Sequence, residues 1–185
     1  SGKTQVAAGV AKTLGSCVIS ADSMQIYRGM DIGTAKATEE EKQGVPHHMI
    51  DIVAPDEPYS AAKYQKAAFA LIERENAKGL VPVVAGGTGL YIHSLVYDID
   101  FTQTPGNDEI RQKYLRQADD KSLDDLYNYL REIYPTYADM IAPTDKKRII
   151  RRLEILEGGG GQTYDFRRLN QKDDFLIFGL RMPRE

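Results

Sequence analysis

Ser1-Gly2-Lys3-Thr4 runs into Val6-Ala7-Ala8-Gly9-Val10-Ala11-Lys12-Thr13-Leu14-Gly15 and then into Cys17-Val18-Ile19, and this order decides the fold class. Gly-Lys-Thr ends the phosphate-loop pattern G-x-x-x-x-G-K-[ST], here without its upstream glycine. The Ala-rich segment behind it carries apolar residues at helical spacing, and Gly15 is suited to stopping it. A helix whose first turn holds Gly2, Lys3 and Thr4 presents free N–H groups and its positive dipole end to an anion. Lys3 would contact phosphate oxygens, and the Thr4 hydroxyl would ligate Mg²⁺. Gly-Lys-Thr also occurs by chance; the helical pattern after it and the apolar run at 17–19 are what give it meaning. The expectation is an α/β fold with a parallel sheet, begun part-way through a domain whose first strand precedes Ser1.

Directly after that run stands Asp22-Ser23-Met24-Gln25-Ile26-Tyr27-Arg28-Gly29-Met30-Asp31-Ile32-Gly33-Thr34-Ala35-Lys36. In an open α/β sheet, ligands bind beyond the carboxyl ends of the strands, which makes the Asp22 carboxylate a candidate for chemistry. Asp and Ser at such a place also build Asx turns, and on local pattern alone the turn is the better reading.

With 185 residues, 42% hydrophobic and 28% charged, the chain can bury one sizeable core with room for a small second lobe. No apolar run approaches the roughly 20 residues of a membrane helix, so a cytoplasmic protein with no membrane partner is expected. A single cysteine allows no disulfide within the chain. A net charge of −3 argues against indiscriminate nucleic-acid binding and leaves room for a local basic patch.

Residues 37–46 read as a solvated helix turn or loop without chemistry. His47-His48 could suggest a metal, but neighbours in a strand face opposite sides and no Cys or third His completes a ligand set, so a structural role is favoured. Ser60 caps a helix expected over 61–78, and Leu80 to Ala85 reads as a buried strand limited by Pro82. It discharges into Gly86-Gly87-Thr88-Gly89-Leu90-Tyr91. The glycines let the backbone approach a ligand, with Thr88 Oγ1 as polar handle; a tight turn explains the glycines but not the threonine. No carboxylate ends that strand where a nucleoside-triphosphatase would hold one, so the phosphate site suits a diphosphate leaving group.

From about Asp108 to Glu157 the pattern is helical. On a wheel over 145–156, Ile149, Ile150, Leu153 and Leu156 fall on one side and Lys147, Arg148, Arg151 and Arg152 on the other. The basic side is either a phosphate-backbone contact or an ordinary solvated face. Gly158-Gly159-Gly160-Gly161 reads as a flexible connector, an engineered join or a gap. Phe175 to Leu180 reads as a further buried strand, with Arg181 and Arg184 beyond it either as diphosphate clamps or as solvated chain-end charges.

Together, Ser1 to Thr4, Ala21 to Lys36, His47-His48-Met49-Ile50-Asp51, Gly86 to Tyr91 and Arg148-Ile149-Ile150-Arg151 resemble the bacterial tRNA dimethylallyltransferase family in order and spacing across nearly the whole chain. The resemblance implies transfer of a dimethylallyl group from dimethylallyl diphosphate to N6 of an anticodon-loop adenosine, with Mg²⁺ as cofactor. It implies a P-loop NTPase-like core at 1–107 and 146–185, lacking its first strand and C-terminal part, and a tRNA-facing helical insertion at 108–145. By the family's motifs, Asp22 would be the catalytic general base toward N6, and Thr88, also catalytic, would help hold the base or the diphosphate bridge. Ser1, Gly2, Lys3 and Thr4 would hold the diphosphate, Arg184 is added to them, and Thr4 would hold the metal. Asp22, Ser23, Met24 and Gln25, with Lys147, Arg148 and Arg151, would contact tRNA, and a monomer is expected. The chain as it stands is expected to be impaired relative to an intact parent. The alternatives are a prenyltransferase of free adenine nucleotides, a P-loop kinase of a small metabolite, and a non-catalytic RNA-binding module.

Overall fold

The computed structural model describes residues 2–101, 106–120, 122–160, 168–171 and 173–181. They divide between two compact units, one of residues 1–99 with 165–185, the other of residues 100–164.

The first unit is the α/β core. Its elements are α1 (Lys3–Thr13), β1 (Val18–Ser20), α2 (Glu39–Lys42), β2 (His47–His48), α3 (Ala61–Asn76), β3 (Val83–Ala85) and α4 (Gly89–Val96). The strands form a parallel sheet in the order β2-β1-β3, with Val18 facing His47 on one side and Val83 on the other. The central strand β1 is wholly buried, as its unbroken apolar run requires in a sheet covered on both faces. β3 is shorter than its apolar run because Pro82 has no N–H to give the ladder; pairing starts at Val83, whose N–H reaches Cys17 O at 2.9 Å.

Helix α3 starts where Ser60 Oγ accepts the Lys63 N–H, and it packs Tyr64, Ala68 and Ile72 on α4 residues Tyr91 and Leu95. Tyr64 and Tyr91 stack with ring centroids 3.9 Å apart. Burying each such side chain is worth about 1.5–3 kcal/mol, so the α3–α4 layer anchors the sheet from one side.

The segment Phe175–Leu180, read as a core strand, is not one. Leu176, Ile177 and Phe178 are exposed, and only Phe175 packs on the core. Among the described residues no strand pairs with this segment, and an apolar run without a ladder has no face to bury.

The second unit comprises α5 (Asp108–Asp120), α6 (Leu123–Ile133), α7 (Pro135–Ala138) and α8 (Lys146–Glu157). Leu126 and Leu130 of α6 meet Ile149, Ile150 and Leu153 of α8 in its core. The boundary therefore differs from the expected 108–145: α8 belongs to the helical unit and not to the α/β core. The apolar side of α8 finds its partners on α5 and α6. Three of the four glycines after α8 also differ from a loose connector. Gly160 N–H reaches Ile155 O at 2.8 Å and Gly159 N–H reaches Leu156 O, with Gly159 left-handed at φ 81°, the pattern of a Schellman helix end. Gly161 lies outside the described residues.

Candidate active site

Two loops leave the carboxyl ends of β1 and β3 side by side. Ala21 N–H reaches Ala85 O at 2.8 Å, and Thr88 N–H returns to Ala21 O at 3.0 Å. Gly86 lies so near that a Cβ there would overlap the Ala21 backbone, which is why this position must be glycine. The close approach brings Thr88 against Ser23, the residue after Asp22. Thr88 Oγ1 accepts the Ser23 N–H at 2.9 Å and donates to Ser23 Oγ at 3.2 Å.

Asp22 makes the Asx turn that local pattern favoured: Oδ1 accepts the N–H groups of Met24 at 2.9 Å and Gln25 at 3.3 Å. The turn does not exclude chemistry. Among the described residues Oδ2 takes no hydrogen bond, so one oxygen aims the carboxylate and the other remains available. A cleft of about 410 Å³ is lined by Gly2, Lys3, Thr4, Asp22, Gln25 and Gly86. A second cavity of about 620 Å³ is lined by Asp22, Met24, Met30, Asp31 and Thr34 among others. Asp22 thus borders both.

The other expected site residues divide. Gly2, Lys3 and Thr4 stand at the start of α1 in the first cleft. Met24 is exposed beside Asp22. Gln25 is turned inward: Oε1 accepts from Ser20 Oγ, and Nε2 donates to Thr34 O at 3.1 Å and Ala35 O at 3.3 Å. Ser1 and Arg184 lie outside the described residues.

On α8 the expected four-residue basic face narrows. Lys147 and Arg148 are exposed, Arg148 close to Asp145 at 3.4 Å. Arg151 instead meets buried Glu154 at 2.8 Å, and Arg152 is buried with its guanidinium 4.3 Å from the Tyr134 ring centroid. Glu154 also accepts from Asn107 N–H at 2.6 Å and from Arg111. Burial alone would raise its pKa, but these donors outweigh burial and hold the carboxyl below the usual glutamate range.

One cluster escaped the sequence. Cys17, His48 and Glu75 bring ligand atoms within 4.8 Å of one another, so a cysteine does approach one of the paired histidines. Its charge is already balanced, however. Arg74 Nη2 and Lys78 Nζ each lie 2.9 Å from Glu75 Oε1, and Arg74 Nη2 is 3.2 Å from His48 Nε2. Burial pushes the Cys17 thiol up and the His48 imidazolium down in pKa, which favours both neutral forms. The cluster reads as an ion-pair network around His48, while His47 lines the cleft at the start of α1.

Lys36 was missed as a participant. Its Nζ meets Asp31 Oδ1 at 2.5 Å, Asp51 Oδ1 at 2.6 Å and Tyr27 O at 3.0 Å. Burial alone would lower its pKa; the two carboxylates outweigh it and raise it. In the sequence, Lys36 closes the Ala21 to Lys36 stretch that carries the resemblance, five residues after Asp31, with no role of its own.

A parallel sheet with a helix N-terminus at a polar cleft beyond the strand ends defines an α/β protein of the P-loop NTPase-like class. Residues 25–185 match the IPP transferase family, and the chain belongs to that family. It is 49% identical over 187 residues to a tRNA dimethylallyltransferase of Alkaliphilus oremlandii, covering 100% of this chain and 60% of that protein. A crystal structure of a tRNA isopentenylpyrophosphate transferase from Bacillus halodurans is 41% identical with a TM-score of 0.54, over 84% of this chain and 52% of that one. A eukaryotic dimethylallyltransferase acting on tRNA is 31% identical with a TM-score of 0.68, over 83% of this chain and 38% of that one. The chain therefore spans about 60% of the curated relative's length.

Proposed function

We propose that the protein is a tRNA-modifying transferase that moves a dimethylallyl group from dimethylallyl diphosphate to N6 of an anticodon-loop adenosine. The observation that carries this reading is the position of Asp22, which borders both the cleft at the start of α1 and the cavity beside Met24 and Met30. The diphosphate would occupy the first, against Lys3 and the N–H groups of the first turn of α1. The adenine would enter the second, flipped from its stack, as an unpaired loop base allows.

The bond that forms joins adenine N6 to C1 of the allyl group, and the C1–O bond to diphosphate breaks. The exocyclic amine is a weak nucleophile, so its proton must leave as C1 is attacked. Asp22 Oδ2 accepts it while Oδ1 stays in the turn. Lys3 and the backbone amides meet the charge that develops on the leaving diphosphate. Thr88, through Ser23, fixes the backbone on which Asp22 is carried.

The donors fit Mg²⁺, because the Thr4 hydroxyl is a hard oxygen ligand in the diphosphate cleft, and Mg²⁺ is commonly held by few protein ligands plus phosphate oxygens and water. Bound there, the ion would neutralise diphosphate charge. Lys147 and Arg148 would contact the RNA backbone from the helical unit. One chain carries every residue named, so a monomer suffices, and the cytoplasm is the compartment this reading assigns.

The test is incubation of the full-length protein with dimethylallyl diphosphate and either an anticodon stem-loop or AMP, with products read by mass spectrometry. The expected result is an N6-prenylated stem-loop with little prenylated AMP. ATP turnover without use of dimethylallyl diphosphate would support a kinase instead.

A further inference from the structure

Residues 29–34 form one wall of the second of the two cavities that Asp22 borders, Thr34 also lines the first, and Ile32 at the tip of this loop is 99% exposed. A loop so open needs something to hold its shape, and the described contacts converge on Lys36. The Lys36 side chain is only 6% exposed, while its partners Asp31 and Asp51 are 63% and 47% exposed. Its ammonium thus sits beneath two surface carboxylates and fastens the wall, through Asp31, to the chain after β2, through Asp51. Arg28 fastens the same chain by donating to Asp51 O at 3.0 Å and Ile52 O at 3.2 Å.

The residues on either side of this junction are held in an unfavourable backbone conformation. Ala35, directly before Lys36, has φ 48°, and Asp51 has φ 56°. Non-glycine residues persist there when their surroundings over-determine them. From the same segment, Thr34 O and Ala35 O accept the Gln25 amide, whose own N–H is bound by Asp22 Oδ1. A continuous set of bonds runs from Lys36 through this loop to the Asp22 turn.

We infer that Lys36 is a positioning residue: it ties the acceptor-cavity wall at 29–34 to Asp51 and so sets the distance at which an incoming base meets Asp22. The inference rests on the proposed prenyl transfer and assigns Lys36 no contact with either substrate. It also gives a physical reason for a lysine five residues after an aspartate in this segment, where neither helix nor strand forms.

The experiment compares Lys36→Met and Asp31→Asn in the full-length protein, the second variant removing one exposed partner and leaving the buried amine in place. KM for an anticodon stem-loop, KM for dimethylallyl diphosphate and inhibition by inorganic diphosphate are measured together with thermal melting. Lys36→Met should raise the stem-loop KM about tenfold, the scale of one lost charge-assisted hydrogen bond. Asp31→Asn should change it in the same direction by less. KM for dimethylallyl diphosphate and inhibition by inorganic diphosphate should change by less than the stem-loop KM in both, since this segment reaches the first cleft only through Thr34, Ala35 and Ala37. An unchanged stem-loop KM in Asp31→Asn and in any folded Lys36→Met protein would overturn the inference. So would a parallel loss of diphosphate inhibition and thermal stability, which would mark Lys36 as a general stabiliser. Failure of the wild-type protein to prenylate the stem-loop would overturn the underlying reading instead, and is seen in the same assay.

Discussion

Thr88 holds Ser23 by two hydrogen bonds, accepting its backbone N–H at 2.9 Å and donating to its hydroxyl at 3.2 Å. The loop after β3 thereby fixes the residue next to Asp22. Thr88→Val keeps the shape but leaves the Ser23 N–H without its acceptor, so turnover should fall about tenfold while Thr88→Ser stays near wild type. Single-turnover prenyl transfer checks this. Equal rates for the Val and Ser variants would show that the hydroxyl has no part in the site.

The helical unit should be sensitive to acid through Glu154. Its pKa is lowered in the folded protein, so its stabilisation is complete above the ordinary glutamate value and is lost as pH falls through that value toward the folded one. Melting followed between about pH 7 and pH 3 should show a steeper loss in wild type than in Glu154→Gln. At neutral pH, Glu154→Gln should be less stable by about 1–3 kcal/mol, since Arg111, Arg151 and the Asn107 N–H lose a charged acceptor. Parallel pH slopes in the two proteins would contradict this assignment.

RNA affinity should depend on Lys147 and Arg148 and not on Arg151 in the same way. Replacing Lys147 and Arg148 together by Ala should reduce the slope of log affinity against log salt by about one to two units. Arg151→Ala should chiefly lower the melting temperature, because Arg151 is engaged with buried Glu154. Titrations at several salt concentrations distinguish them; an unchanged slope in the double variant would leave these side chains as solvated charges.

What the sequence made legible were features set by local chemistry. The helix behind Gly2-Lys3-Thr4, the buried run at 17–19 and the cap at Ser60 depend on neighbours within a few residues. The contact of Thr88 with Ser23, the neighbour of Asp22, spans 65 residues and has no local signature in the sequence. Arg152 was misplaced because a wheel sorts residues by angle and not by partner, and Tyr134 and Tyr137 accept a guanidinium on the buried side. Phe175 to Leu180 was misread for a related reason: apolarity alone cannot supply the neighbouring strand that would bury it. Lys36 stayed invisible because its role lies in two carboxylates, one of them 15 residues away.

Asp22→Asn tests the central claim most directly, because the amide oxygen can still accept the Met24 and Gln25 N–H groups while the carboxylate base is gone. The measurement is single-turnover prenyl transfer to an anticodon stem-loop, alongside stem-loop affinity and thermal melting of the same protein. The expected result is a fall in rate of about two orders of magnitude or more, with affinity and melting close to wild type. A rate near wild type, or equal losses in rate, affinity and stability, would contradict the role of Asp22 as the base and leave it a turn residue.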